Sequence, residues 1–250
     1  MVYLAPEVRS GLGEDTFWTW FNREFESSFK VPAALRDEDW LLQYGTLGEP
    51  RVKGGRTLGL LWELYPEMQA FGCGGSDKIL QMKACEKSCD ASTVSTRFML
   101  DYFKAVVLPI GVDTDLFCEK DREEMRKKHK LSGRVGFWSG TNHPMKGRDR
   151  LEAYKKDNPD VKWIEVEKKS KTPQKVLSEL MSCADFALFT GRLRPYYMVE
   201  WEVMACNVPI IDISGVEREF TPSSYPRNDV MDQGWSRHQT KESWAKFLAS

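Results

Sequence analysis

The sequence predicts an α/β fold of two Rossmann-like, doubly wound parallel sheets, on three observations. Short apolar runs rich in Val, Ile and Leu alternate with amphipathic stretches of helical length, as parallel strands joined by crossover helices do. A turn-rich break at Pro109-Ile110-Gly111-Val112-Asp113, followed by the highly charged stretch Glu119 to Lys130, divides that alternation into two arrays of similar size. The chain has 250 residues, 41% hydrophobic and 29% charged, enough to bury a real core in each array.

In the first array Val2 to Leu4 reads as a strand, Gly11-Leu12-Gly13 as the turn after it, and Asp15 to Phe29 as a helix. That helix carries an aromatic stripe, Phe17, Trp18, Trp20, Phe21 and Phe25, which is either a core face or a stacking platform for an acceptor. Trp40 to Tyr44, Thr57 to Leu61, Ala91 to Val94 and Val106 to Leu108 are further strands. After the charged helix Glu119 to Lys130, a strand is expected at Val135 to Trp138, a helix at Arg148 to Lys156 and a strand at Val161 to Val166. The next helix runs from Pro173 to Cys183, with Thr172 as its cap. Phe186 to Phe189 is a strand, Val199 to Cys206 a helix, Val208 to Ile211 a strand, and Thr240 caps a final helix, Lys241 to Leu248. The expected domains are therefore 1–108 and 109–235, with 236–250 as a terminal helical segment. In open sheets of this kind a ligand crevice forms at the carboxyl ends of the strands.

Composition narrows the function. No run approaches the roughly 20 apolar residues of a membrane span, and Met1 to Pro6 lacks the pattern of a leader, so a cytoplasmic location is expected. The net charge is −1, and residues 1–108 hold 12 basic and 15 acidic groups, so neither array is a basic slab for coating a polyanion. The six cysteines lack the spacing of a disulfide framework, and Cys73, Cys85 and Cys89 lack the four ligands of structural zinc. No metal site is expected.

Three segments carry chemistry. Trp138-Ser139-Gly140-Thr141-Asn142-His143-Pro144-Met145-Lys146-Gly147 joins a strand to a helix, where backbone N–H groups and the helix dipole gather for an anion and Lys146 can meet a phosphate; the alternative is a plain surface turn. Gly11 and Gly13 could let backbone approach a pyrophosphate, but the third glycine of the dinucleotide fingerprint is missing. Arg194-Pro195-Tyr196-Tyr197-Met198-Val199-Glu200-Trp201-Glu202 leads from a strand into a helix on the same crevice. Glu200 and Glu202 cannot share a helical face, so one is solvated or paired, with Arg192 or Arg194 as the candidate partner, while the other points inward.

Leu108-Pro109-Ile110-Gly111-Val112-Asp113-Thr114-Asp115-Leu116-Phe117 resembles the interdomain signature of retaining, family-4-type glycosyltransferases of the GT-B fold. Ser139-Gly140 through Lys146-Gly147, the stretch Leu177 to Phe189, and Glu202-Val203-Met204-Ala205-Cys206-Asn207-Val208-Pro209 follow in that family's order over residues 95 to 213. The resemblance implies transfer of a sugar, with retention, from a nucleotide-diphosphate sugar bound by the second domain to a hydroxyl acceptor on the first. It implies that the final helix packs back across the junction. It places Lys146 on the donor diphosphate and Glu202 on its ribose, with Ser139, Gly140, Arg194, Tyr197 and Met198 lining the donor, and it implies no essential metal. Glu63 becomes the candidate acceptor contact or base, because no histidine precedes residue 109. The sequence departs from the family at Thr141, Arg194 and Asn207, where an arginine, a glutamate and a glycine are usual, so the sugar is the least transferable feature. Compact relatives in viruses, which glycosylate hydroxymethylated DNA bases in the host cytoplasm, leave DNA open as an acceptor. A non-catalytic nucleotide-sugar binding subunit is the reading from another class.

Overall fold

The structure, a computed structural model, describes residues 1–5, 20–50, 52–62, 65–72, 76–167, 170, 172–218 and 220–250. Two compact units emerge, one of Met1–Ile110 with Thr240–Ser250 and one of Gly111–Gln239.

The first unit is built on a parallel sheet in the order β1-β2-β3-β4-β5. The strands are β1 (Val2–Ala5), β2 (Trp40–Tyr44), β3 (Arg56–Leu60), β4 (Ala91–Val94) and β5 (Val106–Val107). Leu4 lies beside Leu42 and Leu42 beside Leu58. The period of two puts these residues and Leu60 on one face, under Trp20, Phe21, Trp62 and Trp244. The opposite face carries α2 (Ser76–Ser88), which follows the single-turn α1 (Tyr65–Met68) and buries Met82 and Cys85 against Leu61, Val94 and Phe103. Gly59 makes that close approach possible, since a Cβ there would stand 2.8 Å from the Cys85 sulfur. The described part of the aromatic stripe is core: Trp20 is 5% and Phe21 0% exposed. Phe17, Trp18, Gly11, Gly13, Cys73 and Glu63 lie outside the described residues.

The second unit holds a parallel sheet in the order β7-β6-β8-β9, from β6 (Val135–Gly140), β7 (Lys162–Glu167), β8 (Phe186–Phe189) and β9 (Ile210–Asp212). Its helices are α3 (Arg122–His129), α4 (Arg148–Asp157), α5 (Gln174–Ser182), α6 (Met198–Ala205) and α7 (Pro226–Asp232). Trp138, Leu151, Val161, Phe186 and Leu188 form its core cluster. The chain leaves β6 for β7 on one side and then returns past β6 to β8 on the other. That reversal opens a crevice at the carboxyl ends of β6 and β8, which fixes where the site should be sought.

Three element boundaries correct the sequence reading. The charged helix shortens to Arg122–His129 because Asp121 caps it, its carboxylate accepting from the Glu124 amide at 2.9 Å. Helix α5 starts at Gln174, since Pro173 is extended (ψ 141°) and itself stands at the cap. The last helix, α8 (Arg237–Ala249), starts before Thr240: Ser236 caps it, its hydroxyl accepting from the Gln239 amide at 3.3 Å and donating to the Gln239 side chain at 2.7 Å. Thr240 is instead fully buried inside the helix. Beyond it, Trp244 enters the first unit's core edge-on to Phe21 and Trp62, with centroids 5.2 and 5.8 Å away.

Candidate functional site

At the crevice of the second unit the loops after β6 and β8 are tied together. Trp138 donates through its indole N–H to the Thr190 hydroxyl at 2.9 Å, and that hydroxyl donates to the Lys146 carbonyl at 2.7 Å. Gly147 comes next, at φ 66°, where a Cβ would lie 2.1 Å from the Thr190 carbonyl oxygen. Both the left-handed backbone and the space demand glycine, so Lys146-Gly147 is a fitted junction at the start of α4 rather than a surface turn. The Arg192 amide donates to the Met145 carbonyl at 2.8 Å, and its guanidinium to the Pro144 carbonyl at 2.6 Å and Asp149 at 2.5 Å.

Lys146 is half-buried and its ammonium stands 3.0 Å from the centroid of the Tyr197 ring, a cation–π contact. The Tyr197 hydroxyl donates to the Met145 carbonyl at 3.0 Å. Beneath Lys146 remains about 10 Å³, room for about one water, bordered by Ser139, Thr190, Tyr197 and Glu200.

Glu200 and Glu202 do part, as their spacing requires, but with a partner the sequence did not suggest. Glu200 is 6% exposed, accepts from the Tyr197 amide at 2.8 Å and lies 3.8 Å from Arg218, not against Arg192 or Arg194. Burial pushes its pKa up, with Arg218, the Tyr197 amide and Lys146 pulling it down. Arg218 is the buried pivot of the loop, donating to the carbonyls of Leu193 at 2.7 Å, Gly191 at 3.1 Å and Pro195 at 3.3 Å, and to Asp212 at 3.1 Å. Glu202 is half-buried, and among the described residues no hydrogen bond or ion pair holds its carboxylate. Burial pushes it up to about 8, only partly countered by Arg237, which is itself paired with Asp113 at 2.7 Å.

Lys146, Ser139 and Tyr197 thus meet around one point, while Glu202 stands apart near Arg237. The Ser139 hydroxyl donates to the Val166 carbonyl at 3.1 Å, and Gly140 is needed by packing, since a Cβ would come within 2.5 Å of the Trp138 ring. Arg194 and Met198 are half-buried on the loop and at the first position of α6. Sequence reasoning missed Thr190, Arg218 and the tie from Trp138 to Thr190. The Trp138–Thr190 pair is a contact between two strand ends that no spacing encodes, and Arg218 is a lone basic residue in a polar stretch.

The first unit has a polar point at the carboxyl end of β4. Ser95 is 5% and Thr96 4% exposed, and the Thr96 hydroxyl oxygen is buried with no hydrogen-bond partner among the described residues. Thr96 precedes the helical turn Arg97–Asp101, yet its side chain does not cap that turn. A buried hydroxyl left so costs about 1–3 kcal/mol. Among the described residues no cluster of three metal-ligating side chains forms, and no helix is long and apolar enough to cross a membrane.

The sequence matches no known protein-family profile and no curated protein. Solved structures are similar. Sucrose-phosphate synthase from Thermosynechococcus elongatus superposes with a TM-score of 0.54 over 95% of this chain and 75% of its own, at 13% identity. A mutant of S. aureus TarM, solved with fondaparinux, alpha-GlcNAc-glycerol and UDP, gives 0.60 over 85% of this chain and 55% of its own, at 11% identity. The N-terminal domain of Candida albicans trehalose-6-phosphate phosphatase gives 0.51 over 94% and 66%, at 11% identity. At such identities the likeness establishes the fold, an α/β chain with Rossmann-like parallel sheets of the GT-B type.

Proposed function

We propose that this chain is a glycosyltransferase that moves a sugar from a nucleotide-diphosphate donor to a hydroxyl acceptor, with retention. The observation that carries the reading is the half-buried Lys146 ammonium at the topological switch point of the second sheet, beside the first turn of α4. An anion at that place meets both a fixed positive charge and the amides of a helix start. Glu202, whose pKa burial pushes up, is the group offered to the ribose hydroxyls. Ser139, Gly140, Arg194, Tyr197 and Met198 are the remaining donor-side residues.

As the bond to the donor sugar breaks, negative charge grows on the leaving diphosphate. Lys146 and the start of α4 are placed to stabilise it, an effect worth roughly 10²–10³ in rate for one well-placed donor. On this reading no divalent cation is required, and turnover persists in EDTA. The acceptor binds on the first unit, where the Thr96 hydroxyl accepts or donates to one of its hydroxyls. Whether that acceptor is a carbohydrate or a modified DNA base is decided by offering both with labelled donor.

The test is a thermal-shift screen of UDP-, GDP-, ADP- and dTDP-sugars, since a bound donor raises the melting temperature by mass action. One of them is expected to stabilise the protein, Lys146→Ala to abolish the shift and Glu202→Ala to weaken it. A full shift retained in the Lys146 variant would remove the site assignment. Binding with no transfer and no slow donor hydrolysis would make the chain a nucleotide-sugar binding subunit.

A further inference from the structure

Lys146 is held by an aromatic face that is itself fixed. The Tyr197 hydroxyl is anchored on the Met145 carbonyl at 3.0 Å, and its backbone amide on Glu200 at 2.8 Å. The ring lies against Gly191, where a Cβ would come within 2.4 Å of its Cε2, so only glycine admits the ring in this position. Over that ring stands the Lys146 ammonium, 3.0 Å from the centroid.

We propose that Tyr197 is a positioning residue that acts through Lys146, presenting the ammonium to the donor diphosphate on the face of a locked ring. This rests on the reading of Lys146 given above and assigns the ring its task. A π face attracts the cation through its quadrupole and leaves the charge itself in place. The ring also limits the rotamers of a long, flexible side chain before the donor arrives, so less freedom is lost on binding. The neighbouring Glu200, which accepts from the Tyr197 amide at 2.8 Å and lies 3.8 Å from Arg218, ties the locked ring to that ion pair.

The test compares Tyr197→Leu with Tyr197→Phe in the full chain, using whichever nucleotide sugar stabilises the wild type. Leucine removes the π face; phenylalanine keeps it and loses only the hydroxyl anchor. The Leu variant is expected to bind the donor about tenfold more weakly and to lose kcat as well, because the same ammonium faces the leaving diphosphate, and the Phe variant to stay within about threefold of the wild type on both counts. The readout that a packing role would not move is donor affinity across a series of progressively fluorinated phenylalanines at position 197, which keep the shape of the ring while weakening its π face, so affinity should fall along the series. The NMR signal of the Lys146 Cε methylene in lysine-labelled protein checks that the ammonium lies on the ring. Ring current shifts it upfield in the wild type and the Phe variant, and the shift disappears in the Leu variant. Donor affinity equal in the Leu and wild-type proteins, or an unshifted methylene in the wild type, would overturn the proposal. If Lys146→Ala loses donor binding while Tyr197→Leu keeps it, only the role of the ring falls; if Lys146→Ala also keeps it, the underlying reading falls with it.

Discussion

The two glutamates of α6 show how one residue's surroundings set its chemistry. Glu200 answers its burial with an amide and a guanidinium, whereas Glu202 has only the distant pull of Arg237 and so keeps its proton to about pH 8. The consequence for stability has a definite sign. The folded state retains a proton that the unfolded carboxyl, with its ordinary pKa of 4.5, has already shed, so stability from this group falls as pH rises from about 4.5 to about 8. Glu202→Gln keeps the shape and removes the titration. Melting temperatures from pH 5 to 8 should therefore show the variant gaining on the wild type as pH rises, and parallel curves would mean that Glu202 is not the buried acid described here. Gly147 teaches a related lesson. Its neighbour Lys146 was conspicuous in the sequence, but only the position of the Thr190 carbonyl explains why no side chain can follow it.

At the scale of elements, strands were the most legible feature. Trp40–Tyr44 and Phe186–Phe189 form as their largely apolar runs predict, because a strand buried on both faces needs only such a run, and Ala91–Val94 forms within its expected bounds although Ser92 and Thr93 are polar. Helices α2 and α7 were not anticipated. In α2 only Met82 and Cys85 are buried, too sparse a stripe to stand out, and α7 lies in a polar, proline-bearing stretch that reads as turn. The start of α8 was misplaced because two cap residues compete in the sequence. Ser236 and Gln239 have the Ser-x-x-Gln spacing of a helix start, and the Ser236 hydroxyl both accepts from the Gln239 amide and donates to its side chain, a signal that outranks Thr240. Ser236→Ala should cost about 1 kcal/mol in denaturant unfolding and Ser236→Asp should recover most of it. An unchanged midpoint in the alanine variant would show that this end of the helix is held by tertiary contacts alone.

For the molecule as a whole, the proposed labour divides along the chain. Lys146, Tyr197 and Glu202 lie in Gly111–Gln239, while Thr96 lies in the other unit. The proposed donor side was half legible: Lys146 and Glu202 stood out in the sequence as candidates, and Arg218, which shapes the loop between them, did not. The acceptor side was scarcely legible, since a threonine near a strand end is ordinary and only its burial without a partner marks it. That marking allows a prediction in which stability and activity move in opposite directions. Thr96→Val preserves the shape and removes a hydroxyl whose burial is uncompensated, so the variant should be more stable by about 1 kcal/mol. If the hydroxyl serves the acceptor, the same variant should show a raised acceptor KM with donor binding unchanged, because the proposed donor residues belong to the other unit. Steady-state kinetics with both substrates varied, beside a melting curve, separates the outcomes. A variant that is stabilised and fully active would leave Thr96 without a role in recognition, and one that loses donor binding as well would place the hydroxyl in a different part of the reaction.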